Sequence, residues 1–185
     1  MRYISFYTKN TPYEEMAQEL SASLQKHSIS CTLYSIKDQG SWMCNVLNKP
    51  SIIKRAFYDY PQESIVWIDS DAIVLQYPQY FYELENKKVD IGVYIRKKGL
   101  ERLLSVFCPV IFFKISNNTK KFISIWSDYC ENAKKYYQNQ SNIKHKVPDY
   151  TIINNKQYKV NKNSCKADQR FFLKSLNDIH ANKDR

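Results

Sequence analysis

Two carboxylates, Asp69 and Asp71, stand either side of Ser70, directly after the apolar run Ile65-Val66-Trp67-Ile68. Alternate residues of an extended segment project to one side, so both carboxylates can face one cation. Hard oxygen ligands of this kind suit Mg²⁺ or Mn²⁺ rather than a soft metal. A cation held there can bridge the two phosphates of a nucleotide sugar and stabilise charge building on a leaving diphosphate. The competing reading is structural, because acidic residues commonly end strands and open turns. Lys49 can reach a phosphate, but a lysine ahead of Pro50 reads more simply as solvated. Trp42 can stack on a base or sugar, against the commoner reading of a partly buried core tryptophan. His27 and His145 have no carboxylate or cysteine at ligand spacing and are assigned no role. No Gly-x-Ser-x-Gly segment occurs, so a hydrolase elbow is excluded.

Composition narrows the chemistry further. The chain has 185 residues and only three glycines, Gly40, Gly92 and Gly99, none at the spacing of a glycine-rich phosphate loop. Phosphate must then be bound by side chains, a metal or a helix N-terminus. The formal net charge of +10 raises polyanionic partners, although the lysines are scattered and a compositional bias explains them as well. Five cysteines, at 31, 44, 108, 130 and 165, include no Cys-x-x-Cys pair, which reads as buried thiols in a reducing compartment. No apolar run opens the chain, and none approaches the roughly 18 residues of a membrane span. The expectation is a cytoplasmic protein, with peripheral membrane contact left open.

The elements that must position the two carboxylates read as alternating strands and helices. Tyr3 to Tyr7 is β-prone, and Thr11-Pro12-Tyr13-Glu14 has the form of a capping box opening a helix to about Lys26. Cys31 to Ile36 is a second strand, a loop through Gly40 and Trp42 follows, and a helix begins near Lys49-Pro50. Ser64 to Ile68 is a third strand, apolar enough to be buried on both faces. This order gives a parallel α/β sheet, whose ligands bind at the carboxyl ends of the strands, where Asp69 sits. Ala72 to Leu75 should continue extended, ahead of a short aromatic helix or turn through Leu84. Two more strands are expected at Asp90 to Arg96 and Val110 to Lys114. A helix capped by Asn117 or Asn118 should follow, with Phe122, Ile125, Trp126, Tyr129 and Ala133 on one face. Tyr137 to Val147 reads as a mobile polar loop, Tyr158 to Val160 as a short strand and Ala167 to Leu176 as a last helix. One domain, 1–185, accounts for all of it.

The stretch IVWIDSDAIVLQYP from Ile65 to Pro78 resembles the DxD region of GT-A-type nucleotide-diphospho-sugar transferases. Phe6-Tyr7-Thr8 with Tyr13-Glu14 resembles the family's first strand and nucleotide turn. Lys49-Pro50-Ser51-Ile52-Ile53 resembles its Lys-Pro helix, Val110 to Phe113 with Trp126 a later strand and helix, and Asp168-Gln169 a late Asp-Gln pair. The resemblance implies a single-domain, GT-A-like, Rossmann-like mixed sheet, mainly parallel and flanked by helices. It implies a glycosyltransferase using Mn²⁺ or Mg²⁺ and a nucleotide-diphosphate sugar, UDP-sugar favoured, with a glycan or other hydroxyl acceptor. Tyr7 and Thr8 would then lie near the base or ribose, Asp69 at the ribose or a metal-bound water, and Asp71 on the metal. Ser70 and Gln169 would join the donor site, and Asp168 would act as a base on the acceptor hydroxyl in an inverting enzyme. A third metal ligand would fall to His180, otherwise a surface histidine. The sequence departs from the family at Phe107-Cys108-Pro109, where a small residue is usual.

Two rival readings compete with this one. A haloacid-dehalogenase-type phosphatase also uses Asp-x-Asp, but at its first strand, whereas here two β-α units precede the motif. A decayed transferase kept as a scaffold, or a polyanion-binding module, fits the +10 charge and fifteen tyrosines. No nucleic-acid motif appears, and nucleic acid is not the expected partner.

Overall fold

Short apolar runs separated by amphipathic stretches build a layered sheet, because each run can be buried only if helices cover it. The computed structural model describes residues 1–95, 106–139, 150–153, 156–159, 171–172, 174–176 and 178–179. The first half comprises β1 (Arg2–Thr8), α1 (Pro12–Gln25), β2 (Cys31–Ile36), α2 (Trp42–Val46), α3 (Lys49–Asp59) and β3 (Ile65–Ile68). The second comprises α4 (Gln79–Glu85), β4 (Ile91–Ile95), β5 (Val106–Phe113), α5 (Asn117–Asn139), β6 (Tyr150–Ile153) and β7 (Lys156–Lys159). The described residues between 171 and 179 are helical.

The main sheet has the order β2-β1-β3-β5-β4, while β6 and β7 form a separate antiparallel pair. β1 is parallel to β2 and to β3, and β5 is antiparallel to β3 and to β4, so β5 alone runs against its neighbours. This is the mixed, mainly parallel sheet expected, flanked by helices. β3 is buried along its whole length, and its alternation divides the core. Ile65 and Trp67 join Ile4, Ile111 and Phe113 on one face, against Ile53, Ala56 and Phe57 of α3 and Phe122 and Trp126 of α5. Val66 and Ile68 join Tyr3 and Phe112 on the other, against Leu20 and Leu24 of α1 and Leu84 of α4. Phe172 closes the first face, its ring 4.8 Å from that of Phe122 and 5.0 Å from that of Trp126. Among the described residues no helix is long and apolar enough to cross a membrane.

Several local expectations are corrected. Thr11 is the N-cap residue of α1 but makes no side-chain cap; its hydroxyl donates to Thr8 O instead, and Glu14 accepts from the Asn10 backbone N–H. The loop holding Trp42 contains a short helix, α2, whose N-terminus Ser41 caps by accepting from Cys44 N. Ser116, not Asn117 or Asn118, caps α5, because its Oγ accepts from Thr119 N at 3.0 Å. Of the residues expected on one face of α5, Ile125, Tyr129 and Ala133 are only partly buried, and Ile123 and Cys130 are buried instead. α5 runs through 139, into the expected loop, and residues 140–149 lie outside those described.

β5 begins at Val106 rather than Val110. Val93 pairs with Ile111 but Tyr94 with Phe107, so Cys108, Pro109 and Val110 bulge away from β4. Proline has no N–H for a ladder, and a bulge is where a central strand tolerates one. The other side of the bulge stays paired with β3, where Ile68 faces Val110 and Asp69 N donates to Pro109 O at 2.7 Å.

Candidate functional site

Parallel pairing puts the carboxyl ends of β2, β1 and β3 along one edge, neighbouring strands about 4.8 Å apart. The chain leaves this edge three times: into α1 after Thr8, into α2 after Ile36, and into a turn after Ile68. Tyr7 is half-buried and Thr8 is buried at the end of β1, where Lys9 N donates to Ile36 O. After β2, Asp38 Oδ1 accepts from Gly40 N and from Asn45 Nδ2. Those bonds, that from Asn45 first, hold the Asp38 carboxyl below the usual range and fix the approach to α2. Trp42 is not a core residue: it is 42% exposed at the start of α2, and its Nε1 donates to Tyr13 Oη.

Asp69 opens the turn after β3, with its carbonyl accepting from Ala72 N at 3.1 Å. Ser70 is half-buried, and Asp71, third in the turn, is exposed. The turn reading of Asp-x-Asp is therefore true of the backbone, but the Asp69 side chain does more than a turn requires. Its Oδ1 accepts from Trp67 Nε1 at 2.7 Å and pairs with Lys49 Nζ at 2.9 Å. The Lys49 ammonium also donates to Cys108 O at 3.2 Å and lies 5.4 Å from the centre of the Trp67 ring. Both donors land on Oδ1, and the side chain remains 31% exposed, so Oδ2 is the oxygen left to face a ligand.

Lys49 thus corrects the solvated reading: its residue is 4% exposed. It occupies the first turn of α3 on the stripe of Ile52, Ile53, Ala56 and Phe57, all buried. A lysine at i before apolar residues at i+3, i+4, i+7 and i+8 was the signal available in the sequence. Burying its charge requires a partner. α3 covers the same sheet face as Trp67, which brings ammonium, indole and carboxylate together at the end of β3. The bulge in β5 contributes the third contact, since Cys108 makes no pairing with β4.

Of the residues singled out from sequence, the structure brings Asp69, Ser70 and Asp71 together in one turn, beside the β1 end that carries Tyr7 and Thr8. Asp168, Gln169 and His180 lie outside the described residues. Among the described residues no three His, Cys, Asp or Glu side chains are grouped to hold a metal. The donor chemistry nonetheless fits Mg²⁺ or Mn²⁺, which typically bind one or two carboxylates and complete their shell with water and substrate phosphates. Asp69 and the exposed Asp71 are two carboxylates of one turn, the ligand type such a cation takes.

No protein-family model matches the sequence, and no curated protein matches it. A crystal structure of a glycosyltransferase involved in the glycosylation of the major capsid of PBCV-1 superposes with a TM-score of 0.54 at 13% identity. The match covers 72% of this chain and 69% of that one. At that identity the likeness establishes the fold, a mixed α/β sheet flanked by helices.

Proposed function

With the fold of a glycosyltransferase and an acidic turn at the carboxyl edge of its sheet, we propose that this chain transfers a sugar from a nucleotide-diphosphate donor, UDP-sugar favoured, to a glycan or other hydroxyl acceptor. The observation that carries this reading is the clamp on Asp69. A carboxylate serving only to open a turn can rest in water; this one is fixed by a buried ammonium and an indole N–H. Fixing a carboxylate at the end of a parallel strand is a positioning device, because it removes the rotamer freedom a ligand would otherwise have to freeze.

The residues then divide the work. Asp71, exposed at the turn, offers its carboxylate to Mn²⁺ or Mg²⁺, with His180 as a further ligand. Asp69, oriented through Oδ1, accepts a ribose hydroxyl at Oδ2, and its charge is balanced locally by Lys49. Tyr7 and Thr8 flank the nucleoside at the end of β1, while Ser70 and Gln169 contact the donor. When bound, the divalent ion supplies positive charge against the departing diphosphate. The bond from the anomeric carbon to the diphosphate oxygen breaks and its electron pair leaves with the diphosphate. In an inverting transfer the acceptor oxygen bonds the same carbon, and Asp168 takes the acceptor proton.

Calorimetric titration with UDP-, GDP- and CMP-sugars, with and without Mn²⁺, tests the proposal on wild type and Asp71→Asn. Manganese-dependent binding of one donor, lost in the variant, is expected. Asp71 is exposed, so the variant should keep its stability to within about 0.5 kcal/mol. Failure of every nucleotide to bind would leave the scaffold or polyanion-binding reading instead.

A further inference from the structure

Of the three tryptophans in the chain, Trp67 and Trp126 are buried in the core and Trp42 is exposed. An indole is mostly apolar surface, and leaving it in water forgoes the burial that tryptophan usually finds. An exposed ring on a surface loop can ordinarily turn between rotamers, but this one is held. Its Nε1 donates to Tyr13 Oη at 3.2 Å, and the loop that carries it is bonded to itself. Asp38 Oδ1 accepts from Gly40 N and Asn45 Nδ2, Asn45 Oδ1 accepts from Gln39 N at 2.8 Å, and Ser41 Oγ accepts from Cys44 N. Indole has one N–H and no acceptor, so with Nε1 bonded only the flat face is left for a ligand.

The place of the ring is set by topology. The strand order reverses at β1, which has β2 on one side and β3 on the other, and open α/β sheets take ligands at the carboxyl ends of their strands at such a point. α1 leads from β1 to β2 over the face of Leu20 and Leu24, and α3 leads on to β3 over the face of Ile53 and Phe57. Tyr13 lies in the first turn of α1 and Trp42 opens α2, so their hydrogen bond ties the two connections together beside this edge. The same segment then reaches Lys49, whose ammonium holds Asp69 at the end of β3.

We propose that Trp42 is the platform on which the base of the donor nucleotide stacks, with Tyr13 positioning the ring; this rests on the sugar-transfer reading. A diphosphate at the Asp69-Ser70-Asp71 turn leaves its nucleoside to extend along the edge past Tyr7 and Thr8. Two strand spacings from β3, about 10 Å, lies the end of β2, from which the Trp42 loop rises. The base is the planar group at the far end of such a ligand, and an aromatic face accepts any base. Asn45 spends both ends of its amide inside the loop, so Trp42 supplies affinity for a nucleoside rather than a choice among bases. On the opposite flank the exposed aromatic near the edge is Tyr94 of β4, which serves as the control.

Because Trp67 and Trp126 are buried, acrylamide quenching of tryptophan emission reports on Trp42. The full chain and its Trp42→Ala, Trp42→Phe and Tyr94→Ala variants are titrated with UDP, GDP, CMP and inorganic pyrophosphate in Mn²⁺, with affinities from calorimetry. A nucleotide should shield Trp42 from acrylamide, and pyrophosphate, which has no base, should not. Trp42→Ala should weaken the nucleotide between about fivefold and about a hundredfold and leave pyrophosphate as in wild type. Trp42→Phe should recover most of that loss, and Tyr94→Ala should bind as wild type. A nucleotide that binds Trp42→Ala as tightly as wild type, or that is weakened by Tyr94→Ala instead, overturns the platform and leaves sugar transfer standing. So does an equal loss for pyrophosphate, because Trp42 would then act through the fold. Shielding by UDP-glucose but not by UDP overturns it as well, since the indole would face the sugar. If no nucleotide binds wild type, the platform and the transfer reading fall together.

Discussion

Lys49→Met removes the ammonium that orients Asp69. Methionine keeps most of the buried aliphatic stem, so the loss is polar. Cys108 O lies on a fully buried residue and loses a donor at 3.2 Å, which costs about 1–3 kcal/mol if no water replaces it. The Asp69 carboxylate loses its 2.9 Å partner but keeps the indole N–H and, at 31% exposure, some water. Breaking a fully buried pair costs about 3–5 kcal/mol and an exposed one under about 1, so this half-sheltered pair falls between. The expected total is about 2–3 kcal/mol, or about 5–10 °C in Tm for a chain of this size. Urea unfolding followed by far-UV circular dichroism measures it, in a cycle with Asp69→Asn and the double variant. Asp69→Asn should also destabilise, and the double variant should cost at least about 1 kcal/mol less than the sum of the two. A Lys49→Met variant within about 0.5 kcal/mol of wild type, with strict additivity, would refute the argument and return Lys49 to the class of surface lysines.

Phe172→Ala should destabilise by about 3–5 kcal/mol in thermal or urea unfolding, because the ring is fully buried between Phe122 and Trp126. An effect below about 1 kcal/mol would mean that the helical residues after 170 are not part of this core. Glu63 carries a pH dependence. The Arg2 guanidinium, bonded to it at 2.8 Å, holds its carboxyl below the ordinary value of 4.5. A depressed carboxyl stabilises the fold above that ordinary value, and the contribution is lost as pH falls through the lower folded value. Glu63→Gln should therefore cost under about 1 kcal/mol near neutrality, as befits a partly exposed pair, and nothing at the acid end of a stability profile. A variant cost that grows on acidification would reverse the sign of that assignment.

The elements were largely legible because their signals are local. Cys31 to Ile36 is bounded by its own β-branched and apolar residues, and the observed strand has the expected limits. The four apolar residues of β3 required a strand covered on both faces, and the structure buries all four. Capping was less legible, since Thr11, Glu14, Asn117 and Ser116 all carry cap-competent side chains and the choice among them depends on the chain's approach to the helix. The start of β5 is not legible, because Pro109 argues against a central strand and only the bulge against β4 shows how one accommodates it.

By itself the sequence determined the alternation of strands and helices, the position of the Asp69-Ser70-Asp71 turn at the end of a buried strand, and the absence of a glycine-rich phosphate loop. These follow from hydropathy, period and residue type over a few neighbouring positions. Only the tertiary structure decided that Lys49 is buried, that its ammonium and the Trp67 indole converge on Asp69 Oδ1, and that Ile73 and Leu75 are left uncovered. Lys49 and Asp69 are twenty positions apart, and the Cys108 carbonyl is further still. A charge or an apolar side chain does not encode its own surroundings. Which distant segment lies against it, and whether any does, is settled by packing of the sheet and its helices.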